Sequence, residues 1–338
     1  MKSWNIGITD YVKPPFSIEQ TVFGSETNIV ELNWDSEVPS DLATIRSLDA
    51  LLVWHARIDE RVAVAAENCQ AVVRYGVGID NLSVGSLEDR GIVVCNTPDY
   101  GVEEVADTTL ALIMGLHRGV FRYDEEARGY EAGWQEHVLG SLRRSRETVV
   151  GVVGLGRIGS SVALRLRAFG FQVVGFDPYV SAGHEKVLGC ARANSLDDLQ
   201  ARCEIVTLHC NLTDETKGLV DATFLSAMRP GSILVNTARG GLVSSLDDIE
   251  RALRSGHLAG IGFDVLPDEP PGEGTLIQDW RARKPWLRGR MIVTPHTAYF
   301  SVDAWSEMRH SAAETARRIL DGERVRNRVR SVEPLGTP

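Results

Sequence analysis

An apolar run at residues 148–153 passes directly into Gly154-Leu155-Gly156-Arg157-Ile158-Gly159, and a helical pattern at 158–169 follows. A strand, a G-x-G-x-x-G turn and a helix in that order leave few folds open. Gly154 permits the tight turn, Gly156 lets a pyrophosphate approach the backbone, and Gly159 lets helix and strand pack closely. The N–H groups at the helix start suit phosphate oxygens. The next apolar run ends at Asp177, 18 residues after Gly159. A carboxylate there accepts hydrogen bonds from the adenosine ribose and repels a 2′-phosphate, which predicts NAD(H) rather than NADP(H). The competing reading is a ligand-free turn, with Asp177 only a strand-end residue before Pro178.

The same alternation runs along the whole chain. Candidate strands lie at 4–9, 50–54, 71–75 and 92–96, and a second set at 148–153, 172–176, 205–209, 232–236, 260–264 and 291–294. Helical patterns lie at 103–117, 158–169, 195–202, 221–228, 245–255 and 301–321. Alternating strands and helices predict parallel sheets, hence an α/β fold. At 338 residues there is room for about two domains. The charged segment 118–146, a second helix or a surface excursion, marks the crossing between the strand sets. The last helix is long enough to return to the first set. The expectation is a smaller discontinuous domain, 1–103 plus 300–338, around an inserted domain, 104–299. The tail 322–338 is expected to be loosely held.

Composition narrows the function. With 36 basic and 46 acidic residues the net charge is −10, and no basic footprint for nucleic acid is visible. The five cysteines are odd in number and none has CxxC spacing, which argues for a reducing compartment and against a disulfide framework or structural zinc. No apolar run approaches the ~18 residues of a membrane span, and the start lacks a secretory signal. A cytoplasmic protein without nucleic-acid or membrane partners is expected.

Three further strand ends carry chemistry. Residues 232–236 run into Thr237-Ala238-Arg239-Gly240-Gly241, 260–264 into Val265-Leu266-Pro267-Asp268-Glu269, and 291–294 into Pro295-His296. Open α/β sheets place ligands at the carboxyl ends of their strands. Reducing a 2-oxo acid needs a cation for the carboxylate and carbonyl, which suits Arg239. It also needs a proton donor near neutral pH, which suits His296. A carboxylate bonded to the imidazole orients it and favours its protonated form, a part open to Glu269. Taken singly, each is as readily a structural residue.

With these residues in view, the chain resembles the D-isomer-specific 2-hydroxyacid dehydrogenases. The resemblance rests on Arg74-Tyr75-Gly76-Val77-Gly78-Ile79-Asp80-Asn81, Val102-Glu103-Glu104-Val105-Ala106-Asp107, the 154–159 loop, 236–241, 264–269 and 294–296. Several segments are similar to the C-terminal-binding-protein branch: Asp177-Pro178-Tyr179, 206–210, 236–243 and 304–309. The resemblance implies two Rossmann-like, doubly wound parallel-sheet domains, a flavodoxin-like substrate domain and an inserted NAD-binding domain. It implies Arg239 on the substrate carboxylate, His296 as acid/base and Glu269 as its partner. Leu155, Arg157 and Ile158 would join the three glycines on the dinucleotide. Cys210, Asn211, Leu212 and Thr213 would border the adenosine, and Thr237, Ala238, Asp264 and His296 the nicotinamide, with Asp264 on the carboxamide. Val77 and Gly78 amides would hold the substrate carboxylate beside Arg74. Homodimers are usual in the family. Corepressors of that branch carry tryptophan three residues after the catalytic histidine, where this chain has Tyr299, which keeps an aromatic wall and adds a hydroxyl. An NAD(H)-sensing scaffold with little turnover is the alternative.

Trp54-His55-Ala56-Arg57 follows an apolar strand of the smaller domain. With Arg74 and Lys13 it would make the cleft mouth basic, fitting a second anionic group such as that of 3-phosphonopyruvate. Alternatively, Arg57 and Lys13 are solvated loop charges and His55 caps a turn.

Overall fold

The computed structural model describes residues 3–34, 37–129, 133–140 and 142–331. The chain folds as two compact units, Met1–Gly101 with Ser301–Pro338, and Val102–Phe300.

In the first unit, β1 (Asn5–Ile8), β2 (Asn28–Glu31), β3 (Ala50–Val53), β4 (Ala71–Arg74) and β5 (Val93–Cys95) form one sheet. Its order is β2-β1-β3-β4-β5 and every pairing is parallel, the flavodoxin-like arrangement. All four residues of β3 are buried, as a strand covered on both faces requires. The helix Val302–Leu320 packs on β3, β4 and the helix Ser17–Phe23. Ser301 caps it by accepting from the Ala304 N–H. Its buried stripe is rich in alanine (304, 312, 313 and 316) but includes Arg309, which donates to Glu19 from Nε at 2.8 Å and from Nη2. Tyr75 donates its hydroxyl to the same carboxylate at 3.0 Å. Pairing and hydrogen bonding make a fully buried Glu19 tolerable.

In the second unit, β6 (Val149–Val153), β7 (Gln172–Phe176), β8 (Ala191–Arg192), β9 (Ile205–Leu208), β10 (Ser232–Asn236), β11 (Leu258–Phe263) and β12 (Met291–Val293) form a parallel sheet. The order β12-β11-β10-β9-β6-β7-β8 is that of a doubly wound dinucleotide fold, with its switch point between β6 and β9. One face packs Val150, Val152, Ile205 and Val235 under the helices Val102–His117 and Arg157–Ala168. The other buries Val206, Leu234 and Phe263 beneath Leu199, Phe224 and Leu253. None of the described helices is long and apolar enough to cross a membrane.

Most expected strands run one or two residues longer than the observed ones, at one end or both. Sequence patterning missed β2, with only two apolar residues, and the two-residue, exposed β8. Segment 118–146 contains the helix Val120–Gly129. The expectation of a loose tail is corrected for 327–331. Val329 N–H donates to Val94 O (2.8 Å), Asn96 N–H to Asn327 O (3.4 Å), and Ser331 N–H to Glu88 (2.9 Å). The tail therefore adds to the open edge of β5. Residues 332–338 lie outside the described residues.

Candidate active site

The glycine loop sits at the switch point of the second sheet. Gly154 has φ +91°, and a Cβ there would lie 2.6 Å from Cys210 N, in the loop after β9. A Cβ on Gly159 would lie 1.9 Å from Gly154 O, so helix and strand pack at glycine distance. At Gly156 a Cβ would meet nothing within 4 Å. A turn that is open at its middle glycine and crowded at its outer two fits a pyrophosphate on the start of Arg157–Ala168. Side chains clasp the loop at Leu155. Asp177 Oδ2 accepts the Leu155 N–H at 2.8 Å, and Ser160 Oγ donates to Leu155 O at 2.8 Å, with His184 Nε2 3.1 Å from both. Asp177 Oδ1 accepts the Tyr179 N–H at 2.9 Å, so each carboxylate oxygen keeps acceptor capacity for a ribose.

Of the 210–213 segment, Cys210 reaches the glycine loop, and burial pushes its thiol up to about 11. Sequence reasoning missed its neighbour His209. Burial pushes His209 down to about 3; Nε2 lies 3.0 Å from Thr207 Oγ1, and its buried Nδ1 is unpartnered among the described residues. Its only sequence signal is a polar residue at the end of an apolar strand. Thr237, expected beside the nicotinamide, is buried with its hydroxyl 2.8 Å from Thr109 Oγ1 of the helix Val102–His117.

Arg239, Glu269 and His296 follow the adjacent strands β10, β11 and β12. Asn236 fixes the Arg239 loop, accepting the Ala238 N–H (3.0 Å) and donating to Arg239 O (2.9 Å). Arg239 Nη1 donates to Ala238 O at 2.8 Å. A Cβ on Gly240 would fall 1.8 Å from Leu266 O, so the arginine and glutamate loops touch only because residue 240 is glycine. Glu269 Oε1 accepts the Leu266 N–H at 2.9 Å, and Oε2 lies 2.7 Å from His296 Nδ1. Burial raises the Glu269 carboxyl, but the His296 hydrogen bond and charge, the Leu266 N–H and the Arg239 charge outweigh it and hold it below the usual range. Both partners stay over a third exposed (39% and 37%), so the pair is reachable. His296 has φ +55°. A non-glycine residue there stores roughly 1–3 kcal/mol of strain, a pattern common at functional sites.

Asp264 is almost fully buried, and its carboxylate takes three donors, all from residues 294–298. Tyr299 is partly buried and edge-on to Phe300, which is 55% exposed. Neither is a core residue.

The remaining expected residues lie in the first unit. Arg74 follows Val73 in β4, and its guanidinium overlies Gly76, where a Cβ would lie 1.7 Å from Nη1. The next N–H groups, of Val77 and Gly78, have no acceptor among the described residues. In this unit two of the expected basic side chains have partners. Lys13 pairs with Glu31 at 3.0 Å. His55 Nε2 accepts the Trp54 indole N–H at 2.6 Å, and its Nδ1 lies 3.8 Å from Asp10 Oδ2. Asp10 does the capping here, accepting the Trp54 and His55 N–H groups at 3.0 and 2.6 Å, while Tyr11 stacks on Trp54. Arg57 is exposed, with no ion-pair partner among the described residues.

Comparison with known proteins agrees with this geometry. The family model described as D-isomer specific 2-hydroxyacid dehydrogenase, NAD binding domain, matches residues 110–298. The D-3-phosphoglycerate dehydrogenase of Mycobacterium leprae is 37% identical over 289 residues, covering 85% of this chain and 52% of that protein. C-terminal-binding protein 1 of Caenorhabditis elegans is 34% identical over 280 residues, covering 81% and 37%. The chain thus spans about half or less of the length of these curated relatives. A solved structure from Thermus thermophilus matches with a TM-score of 0.82 at 29% identity, over 96% of this chain and 99% of that one. The chain belongs to the D-isomer-specific 2-hydroxyacid dehydrogenase family, and 110–298 is its NAD-binding domain.

Proposed function

We propose that this protein reduces a 2-oxo acid to a D-2-hydroxy acid with NADH, reversibly. The observation that carries the reading is the Glu269–His296 pair at 2.7 Å on the strand-end edge that also bears Arg239 and the dinucleotide loop. Bound NADH supplies the hydride that substrate C2 accepts. Arg239 binds the substrate carboxylate and polarises the carbonyl, its guanidinium oriented by Ala238 O. Glu269 is an acceptor only, so Nδ1 of His296 is the donor to it and Nε2 is the nitrogen that delivers the proton to the forming alkoxide. The carboxylate then stabilises the imidazolium before proton loss. Within the first unit, Arg74 and the Val77 and Gly78 N–H groups, which have no acceptor among the described residues, offer donors suited to an anion. D configuration of the product comes from family membership.

NADH oxidation against glyoxylate, pyruvate, hydroxypyruvate, branched-chain and aromatic 2-oxo acids, oxaloacetate, 2-oxoglutarate and phosphonopyruvate tests the reading. Efficient turnover of one or more supports it. Tight NADH binding with no turnover of any overturns it in favour of an NAD(H)-sensing scaffold.

A further inference from the structure

We propose that Asp264 is a positioning residue for the proton donor, holding the strained 294–298 turn that seats His296 on Glu269. The inference rests on the acid/base reading of His296. The donors to Asp264 come from nearly every residue of the turn. Thr294 donates its hydroxyl to Oδ1 at 2.6 Å, Thr297 its N–H to Oδ1 at 2.9 Å, and Ala298 its N–H to Oδ2 at 3.0 Å. The His296 N–H donates to Asp264 O at 2.8 Å. Residue 295 is proline and has no N–H to give. Asp264 is itself tied down, its N–H donating to Asn236 O at 2.9 Å. Thr108 pins the far end of the turn, donating to Ala298 O at 3.3 Å.

This arrangement holds a φ of +55° that histidine would otherwise leave. Relaxation to negative φ redirects Cβ and takes Nδ1 off Glu269. A carboxylate is required at 264. An asparagine can accept from Thr294 and Thr297, but its NH₂ then faces the Ala298 N–H, donor against donor. Oδ2 takes a single protein donor, so the carboxylate that fixes the turn keeps acceptor capacity for a nicotinamide carboxamide.

The test compares Asp264→Asn, Thr294→Val and Glu269→Gln, with three readouts. The first is the proton NMR signal of His296 Nδ1–H, identified by its loss in His296→Ala. The second is NADH affinity, and the third is the pH profile of turnover. The positioning role predicts that Asp264→Asn loses the Nδ1–H signal and that turnover falls about a hundredfold, the cost of misplacing a reacting group by about an ångström. Its pH profile should take the shape of that of Glu269→Gln, and the loss of turnover should persist at saturating NADH. Thr294→Val should move the same readouts in the same direction by less. The Asp264→Asn/Glu269→Gln double variant should cost no more than the worse single, because both act through one imidazole.

An Asp264→Asn variant that keeps the signal and its turnover at saturating NADH while binding NADH much more weakly overturns the proposal. So does an additive double variant. If Asp264→Asn does not fold, Thr294→Val decides by the same criteria. If the wild type reduces no 2-oxo acid, the proposed reaction fails, and the NMR signal still decides the positioning role.

Discussion

Nδ1 of His296 and Oε2 of Glu269 lie 2.7 Å apart although 27 residues separate them. Two loop contacts bring them together: Leu266 N–H on Glu269 and Asp264 on the histidine turn. The pair links the fold to the pH behaviour of the reaction.

Glu269→Gln should therefore alter the pH profile of reduction more than it alters binding. The Glu269 carboxyl is held below its usual range, so the carboxylate is present across the neutral region. It supports the protonated imidazole there. Without it His296 Nδ1 loses its charged acceptor, and the alkaline limb of kcat/KM should shift to lower pH. An unchanged limb in a pH–rate series contradicts the assignment.

Arg239→Lys keeps the charge and loses the planar fork. Its kcat/KM for a 2-oxo acid should fall at least about tenfold, with NADH affinity nearly unchanged by calorimetry. A loss confined to NADH binding would move Arg239 out of the substrate site.

Asp177→Ala should weaken NADH binding and ease NADPH use, because it removes a ribose acceptor and the repulsion of a 2′-phosphate. It also removes the acceptor of the Leu155 N–H. Competitive titration with the two dinucleotides measures both effects, and an unchanged preference counts against the ribose role.

Gly240→Ala places a methyl group 1.8 Å from Leu266 O, against backbone that cannot give cheaply. The arginine and glutamate loops should separate, with turnover lost and stability reduced by about 1–3 kcal/mol. Denaturant unfolding beside kinetics checks this; wild-type behaviour in both would mean the loops are not in contact.

His209 gives a stability prediction. Folded, it is pushed down to about 3 from an ordinary value of about 6.5 by burial. Between those values the unfolded chain binds a proton that the folded chain refuses. Stability should therefore be undiminished above about pH 6.5 and fall as pH drops toward 3. His209→Gln should flatten this slope in thermal melts from pH 7 to 4. An equally steep slope in the variant would remove His209 as a cause.

The glycine loop was legible because strand, glycines, helix and acid fall in one local stretch. Arg239, Glu269 and His296 were legible as strand-end residues, since parallel sheets gather those ends. The left-handed turn at His296 was not, because Thr294-Pro295-His296 carries no glycine to announce it and tertiary donors hold it. The contact at Gly240 needed the position of Leu266, which no spacing reveals. The partners of Lys13 and His55 were illegible for a similar reason: Glu31, the Trp54 indole and Asp10 meet them only once the chain is folded. The tail misled because its composition suggests a loose end, whereas the unpaired edge of β5 gives its backbone a partner.

The most direct test of the central claim is single-turnover reduction of the best 2-oxo acid by wild type and His296→Asn, each preloaded with NADH. If His296 delivers the proton, the variant should bind NADH normally and transfer hydride about 10²–10⁴-fold more slowly. Equal transfer rates at saturating substrate would contradict the account.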